Sequence, residues 1–541
     1  MSASERRWLI GAVVLVTLLT SAPYLIGWAA SEPERPFSGV LMLPGDMYSY
    51  FAKMRLGAGG AWLYHNVYAV EPHPATPLYL FYLLLGHAAA LGSEGARVPL
   101  ARLVMIYHAA RAVFGAVLLV MLYPAISLLL NDPRQRRLAW ALIALGGGLG
   151  WVMLIVFREP LPLGNLPLDL YLGEAVTAIS LLIQPHALMA RSALLGGLLC
   201  LTRADESGSE RWALAAGGCW LLATMGVPFD ILIAGGIVGG WLAARWALTR
   251  RFPGRLALLG LLAGAPGMVF DLITLAVISG NPVYAAWNAQ NSLPLPHPLH
   301  LISLYGLQLA LSVAGVTAVI RARLRRADLF TGWWAAGLLL PLIPLPFQLR
   351  LVESYSVPLI TLAVAGLSHL TRNWGATRQR IARVALLMLL LPSTLFLFLG
   401  SISQLLFNMD AVSYTRDQVA MLGWLRQNVP PGSVMLSSDG TGLLTAAAAP
   451  ITAVVGHGFE TPDFERKQAE ARRFYGGEMS DEEQVALLTR YGVRYVWYGP
   501  AERALACENA ECIADPFDPS GLPLRLAASS GPYALYEVIG P

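Results

Sequence analysis

Stretches of mostly apolar residues, each near the length of a bilayer-spanning helix, recur along the chain with short Arg-rich breaks between them. They run over 8–29, 99–130, 138–157, 179–201, 212–228, 230–248, 256–279, 300–320, 329–347, 354–370 and 384–407. A helix needs about 20 apolar residues to cross the hydrocarbon core. Such a series leaves one fold class, a polytopic α-helical membrane protein. Composition agrees: 56% of the 541 residues are hydrophobic and 13% are charged, against about 25% charged in soluble domains. The net charge of +4 says little about partners, because Arg gathers in the breaks, where it reports topology. Membrane lipid is the expected surrounding, and nucleic acid is not an expected partner.

The breaks at Asp132–Arg137, Thr249–Arg251, Arg321–Arg326 and Arg372–Arg383 are assigned to the cytoplasm by the positive-inside rule. The first run, opened by Glu5-Arg6-Arg7, is too long for a typical signal-peptide core and reads as a retained helix with a cytoplasmic N-terminus. Loops 30–74, 158–178, 280–299 and 348–353, and everything after about residue 408, then fall outside the cytoplasmic membrane. Segment 75–92 breaks this parity. A full crossing there puts Arg134–Arg137 outside, so the span count is eleven or twelve.

Composition shifts near Asp410. Residues 1–410 form a transmembrane module and 411–541 a soluble extracytoplasmic α/β domain. Helices are predicted at 415–428, 462–475 and 480–490, with strands at 434–436, 451–455, 493–498 and 533–539. Ser480 followed by Asp481-Glu482-Glu483 is a good helix start. Cys200 and Cys219 sit in apolar runs, where free thiols are ordinary. Cys507 and Cys512, spaced C-x4-C in the outer domain, suit a disulfide; a zinc site lacks two further ligands nearby.

The chemistry is expected in the first outer loop, from Pro44-Gly45-Asp46 through Arg55 to Trp62 and His73-Pro74. An acid, bases and several aromatics meet there in a chain poor in charge. Residues 46–58 have apolar positions at helical spacing, Met47, Phe51, Met54 and Ala58, and suit a helix along the membrane surface. Asp46 at its start is either a helix cap or a general base facing a surface cavity. Arg350 lies at the outer end of a span, against the positive-inside bias. It pairs with Glu353 or lipid headgroups, or binds a phosphate. His186, beside Pro185, is an intramembrane polar group and so a functional candidate. Gly456–Asp463 is the densest polar stretch of the outer domain and follows an expected strand, but no nucleophile–base motif or P-loop accompanies it.

The pattern Asp-x-x-x-Tyr-x-x-x-x-Arg, then Gly-x-x-Gly-x-Trp, then His-Pro, after a first transmembrane helix resembles the GT-C superfamily of membrane glycosyltransferases. It is carried by Asp46, Tyr50, Arg55, Gly57, Gly60, Trp62, His73-Pro74 and Pro77-Leu78-Tyr79. The resemblance implies a polyprenyl-phosphate sugar as donor substrate and a glycan, lipid or protein as acceptor. It also implies Asp46 as the base that activates the acceptor. Tyr50, Arg55, Glu71 and His73 of the same loop are candidates for substrate contact, as is His186 on its intramembrane position. Arg350-x-x-x-x-Tyr355-x-x-Pro358 is similar to a segment near the donor phosphate in that superfamily. Many relatives carry two adjacent acids, whereas Gly45 and Met47 flank a single Asp here. A divalent metal would fall to Asp46 and Glu71. With one base and direct displacement, the anomeric configuration inverts. A transporter or flippase of lipid-linked glycans would instead put polar residues through the bundle midplane. A non-catalytic assembly protein would leave Asp46 a plain cap.

Overall fold

The computed structural model describes residues 1–92, 95–157, 166–506 and 517–539. The expected Cys507–Cys512 pair lies outside the described residues. Among the described residues, six helices are long and apolar enough to cross a membrane: Ala3–Ala29, Leu100–Ser127, Pro185–Ser207, Asp230–Thr249, Gly254–Ser279 and Pro298–Arg321. Two bent pairs, Pro133–Leu145 with Gly150–Phe157 and Ala376–Leu390 with Pro392–Phe407, bring the number to eight if each is one span. Within segment 75–92 the helix covers only Leu80–Ala90, 11 residues. At ~1.5 Å per residue it is roughly half the length needed to cross ~30 Å of hydrocarbon.

The chain divides into two compact units. The first comprises Met1–Pro23, Ala110–Ile273 and Leu293–Ser403. Its core is a continuous apolar cluster that includes the fully buried Trp220, Trp241 and Trp333. Cations at and near the Arg-rich breaks are partly neutralised. Arg245 bonds Asp205 (2.6 and 3.0 Å) and Asp328 (2.6 Å), and Arg326 bonds both Asp205 and Glu206. Where Pro133–Leu145 gives way to Gly150–Phe157 at 52°, the buried backbone N–H groups of Gly148 and Gly150, which the break leaves without helical partners, both donate to buried Asp169 at 3.0 Å. A broken helix is tolerated at membrane depth only when such groups find partners.

The second unit comprises Tyr24–Ala109, Thr274–Ser292 and Gln404–Pro541. It holds a five-stranded sheet ordered β2-β1-β3-β5-β4, with β1 Val434–Leu436, β2 Thr452–Ala453, β3 Tyr495–Tyr498, β4 Leu524–Ser530 and β5 Tyr533–Val538. β1 pairs in parallel with β2 and β3, and β5 pairs antiparallel with β3 and β4. The expected helices are present as Arg416–Asn428, Phe464–Tyr475 and Asp481–Tyr491, the last opened by a full Ser480–Glu483 capping box. The first loop joins this layer directly: Ala453 N–H of β2 donates to Val67 O at 2.9 Å.

Candidate functional site

The helix carrying Asp46 runs over Pro44–Ala58. Leu43 precedes it in a left-handed conformation (φ 47°) and Pro44 takes the first helical turn, so Asp46 lies within that turn and makes no capping bond. The capping alternative therefore fails. The helix has no polar face open to solvent, because Lys53 and Arg55 are buried together with Met47, Phe51, Met54 and Ala58. Leu80–Ala90 and Asp439–Ala448 cover the helix on two sides. Glycine permits the closer contact: a Cβ on Gly57 would lie 2.1 Å from Leu83 O, and one on Gly86 would lie 2.0 Å from Met54 O.

Lys53 is at the centre of a buried polar cluster. Its Nζ lies 2.7 and 3.0 Å from the carboxylate oxygens of Glu460 and 4.1 Å from the Tyr79 ring centroid. Glu460 also accepts from Ser49 Oγ and Tyr64 OH at 2.9 Å each, and its backbone O accepts from Asn66 Nδ2 at 2.7 Å. Burial pushes the Lys53 ammonium below the usual lysine range, against the pull of Glu460. Burial pushes Glu460 up, but Lys53, His457 and the hydrogen bonds from Lys53 and Ser49 together outweigh it and hold the carboxyl below the usual range. Three residues before Glu460, His457 turns Nε2 to Asp46 Oδ1 at 3.3 Å. Asp46 keeps 41% of its side chain exposed and His457 11%. The loop makes its own tight turn, with Gly456 N–H on Thr461 Oγ1 at 3.2 Å. A Cβ on Gly456 would strike the Tyr68 ring at 2.3 Å.

Several expected substrate contacts are committed elsewhere. Arg55 is buried, with Nε and Nη2 on Ala447 O at 3.1 Å and Nη1 on Val98 O. It holds one of the last carbonyls of Asp439–Ala448, that of Ala447, a cation's ordinary place at a helix C-terminus. His73 stacks on His65 (3.9 Å), donates from Nδ1 to Glu71 O at 2.7 Å, and accepts the Asn66 N–H on Nε2 at 3.0 Å. Both ring nitrogens are spent on backbone. Glu71 pairs with the buried Lys467 at 2.7 Å. The acids expected to hold a metal therefore do not form a donor set, Glu71 serving Lys467 and Asp46 facing His457. Among the described residues no group of three or more His, Cys, Asp or Glu is arranged to hold a metal ion. Tyr50 is half-buried and stacks on Tyr82 at 4.4 Å.

The remaining candidates belong to the first unit. Glu353 does not pair with Arg350 as its i+3 spacing suggested. It bonds Arg191, whose guanidinium also takes Gly173 O, and both side chains are buried. Arg350 lies instead 3.8 Å from Glu174. Tyr355 is buried with its ring against Gly337 and edge-on to Tyr305 at 5.5 Å. His186 is half-buried in the first turn of Pro185–Ser207.

No family model matches the sequence, and no curated protein matches it. The chain is similar in structure to the archaeal oligosaccharyltransferase AglB from Archaeoglobus fulgidus in complex with an inhibitory peptide and a dolichol-phosphate. That match has a TM-score of 0.57 and 12% identity over 92% of this chain and 70% of that one. The apo form of the same enzyme matches with a TM-score of 0.56 and 14% identity, over 94% and 72% of the two chains. ArnT from Cupriavidus metallidurans in the apo state matches with a TM-score of 0.49 and 16% identity, over 98% and 100%. Identities this low speak for fold, and the fold is the one the first-loop resemblance implied. The chain is a polytopic helical membrane protein with a GT-C-like fold and a small α/β layer in its C-terminal segment.

Proposed function

We propose that this protein transfers a sugar from a polyprenyl-phosphate carrier to an acceptor at the outer face of the cytoplasmic membrane. Asp46 carries the reading. It is a partly exposed carboxylate at the edge of an otherwise buried polar cluster, on the loop whose pattern resembles GT-C enzymes. The structural neighbour AglB, an oligosaccharyltransferase described with a dolichol-phosphate and a peptide, supports a lipid-linked donor. Asp46 takes the proton of the acceptor hydroxyl as its oxygen attacks the anomeric carbon. The C1–O bond to the lipid phosphate breaks, the phosphate leaves with the bonding pair, and configuration inverts. A guanidinium suits the leaving phosphate, and Arg350 is the residue proposed for it on sequence resemblance. The outer face follows from the Arg-rich breaks.

The test is transfer of radiolabelled sugar by purified protein in lipid vesicles, from polyprenyl-phosphate mannose, glucose and galactose to a membrane extract. Wild type turns over. Asp46→Asn, at an unchanged Tm, loses on the order of 10²–10⁴-fold, the usual worth of a general base. Equal rates in the two proteins would remove Asp46 from the chemistry. Vesicle-to-vesicle movement of the intact donor without transfer would favour a transporter.

A further inference from the structure

The His457–Asp46 contact joins residues 411 apart in sequence, and it engages one oxygen of the Asp46 carboxylate. Its asymmetry is informative. The carboxylate is the exposed partner and the imidazole the buried one. Nε2 is occupied by Asp46. Nδ1 is shut away from solvent without a hydrogen-bond partner, 3.9 Å from Glu460 Oε1. Neither ring nitrogen is open to an acceptor, so the ring is not itself the base. What it can do is donate from Nε2 to one carboxylate oxygen and leave the other for a substrate hydroxyl.

The ring is firmly seated for that task. A Cβ on Gly45 would stand 3.9 Å from its Cδ2, and the Phe459 and Tyr68 rings lie 5.9 and 6.4 Å away. Its loop is tied at Glu460 to Lys53, Ser49 and Tyr64 of the first-loop segment. Gln290 Nε2 bonds the carbonyls of Phe459 (3.1 Å) and Thr461 (2.9 Å). A side chain held on so many sides restricts the carboxylate it touches, and restricting a reactive group to its productive geometry lowers the barrier.

We infer that His457 is a positioning residue for Asp46, and that the C-terminal segment thereby completes the base. This rests on the reading of Asp46 as base. Turnover is measured in lipid vesicles with the polyprenyl-phosphate sugar that gives the highest rate in the assay above. His457→Ala lowers kcat by on the order of 10–100-fold, as loss of groups that orient a reactive ligand does, with KM within about twofold. His457→Gln, whose amide can donate over a similar reach, recovers part of the loss. In an Asp46→Asn background His457→Ala has no further effect on rate, because the two act as one unit. Wild-type kcat in His457→Ala, with Asp46→Asn inactive, overturns the inference and leaves the base in place. Full activity in Asp46→Asn overturns the base reading and the inference together. A measurement without turnover checks the contact: the ¹⁵N shift of His457 Nε2 moves on Asp46→Ala. An unmoved resonance overturns the pairing.

Discussion

Each compact unit buries an ion pair, and the two are finished differently. In the first unit Arg191 meets Glu353 with side chains 4% and 1% exposed, and the spare guanidinium donor is closed off by Gly173 O. In the second unit Lys53 meets Glu460 at 1% and 6% exposed, but the network continues. Ser49, Tyr64 and Asn66 converge on Glu460, and three residues away His457 reaches the partly exposed Asp46. Burying two charges is expensive and replacing such a pair with apolar groups is often neutral, so burial alone does not mark function. The exposed end is what separates the two. The first pair ties helix Pro185–Ser207 to the turn before Ser356–Leu370, and the second sets a loop beside the partly exposed Asp46 carboxylate.

The largest effects come from breaking one partner. Glu353→Ala and Glu460→Ala each leave a buried cation alone and should cost about 3–5 kcal/mol, seen as a lower Tm and poor yield from detergent. Double replacement then separates the two regions. Arg191→Leu/Glu353→Leu should regain most of the lost stability and keep transfer within about threefold. Lys53→Met/Glu460→Leu should regain stability but not rate, since loop 456–461 loses its tether. Rate restored in both doubles would erase the distinction drawn above.

The pairs also differ in what acid does to them. Glu460 is held below the usual carboxylate value of 4.5. A depressed carboxyl contributes stability that is complete above its unfolded pKa and lost as pH falls through the folded one. Acid below 4.5 should therefore loosen the second unit first around residues 456–461. Hydrogen exchange from pH 5 downward would follow this, and Glu460→Gln should flatten the dependence there. Loosening that proceeds unchanged in Glu460→Gln would assign the acid sensitivity to another carboxyl.

The difference between the regions was only half legible in the sequence. Apolar length exposed the membrane class, and local patterning found Asp46, the helix after it and the dense stretch 456–463. Nothing local joins Asp46 to His457, because the contact is made by packing between segments hundreds of residues apart. Lys53 was given no role of its own, since a lone Lys on a membrane-surface helix reads as solvated until a helix on each side buries it. Arg55 and His73 misled for the converse reason: their motif positions suggested substrate, yet their donors and acceptors close on backbone. Helix Asp439–Ala448 was missed because its small residues carry little periodic signal, and edge strand β4 because Leu524–Ser530 lacks apolar alternation.

Arg55 gives a moderate test of the same distinction. Arg55→Lys cannot reproduce a planar fork on Ala447 O and Val98 O, and leaves a buried carbonyl short of donors at about 1–3 kcal/mol. Tm should fall while KM for the lipid-linked donor holds. A raised KM at constant Tm would return Arg55 to the substrate.

The smallest effect is the most local. Gln290, in helix Pro282–Gln290, holds loop 456–461 through two carbonyls, at Phe459 and Thr461. Both bonds go to backbone carbonyls and neither to the Glu460 carboxylate or the His457 ring. Gln290→Ala removes two neutral, partly solvated hydrogen bonds, each worth about 0.5–1.5 kcal/mol at most, so global Tm should barely change. If the loop's placement sets the base, amide exchange at 457–461 should quicken and kcat should fall a few-fold at constant KM. Faster exchange with unaltered kcat would mean that Lys53–Glu460 alone fixes the loop, and that the site tolerates motion at its outer edge.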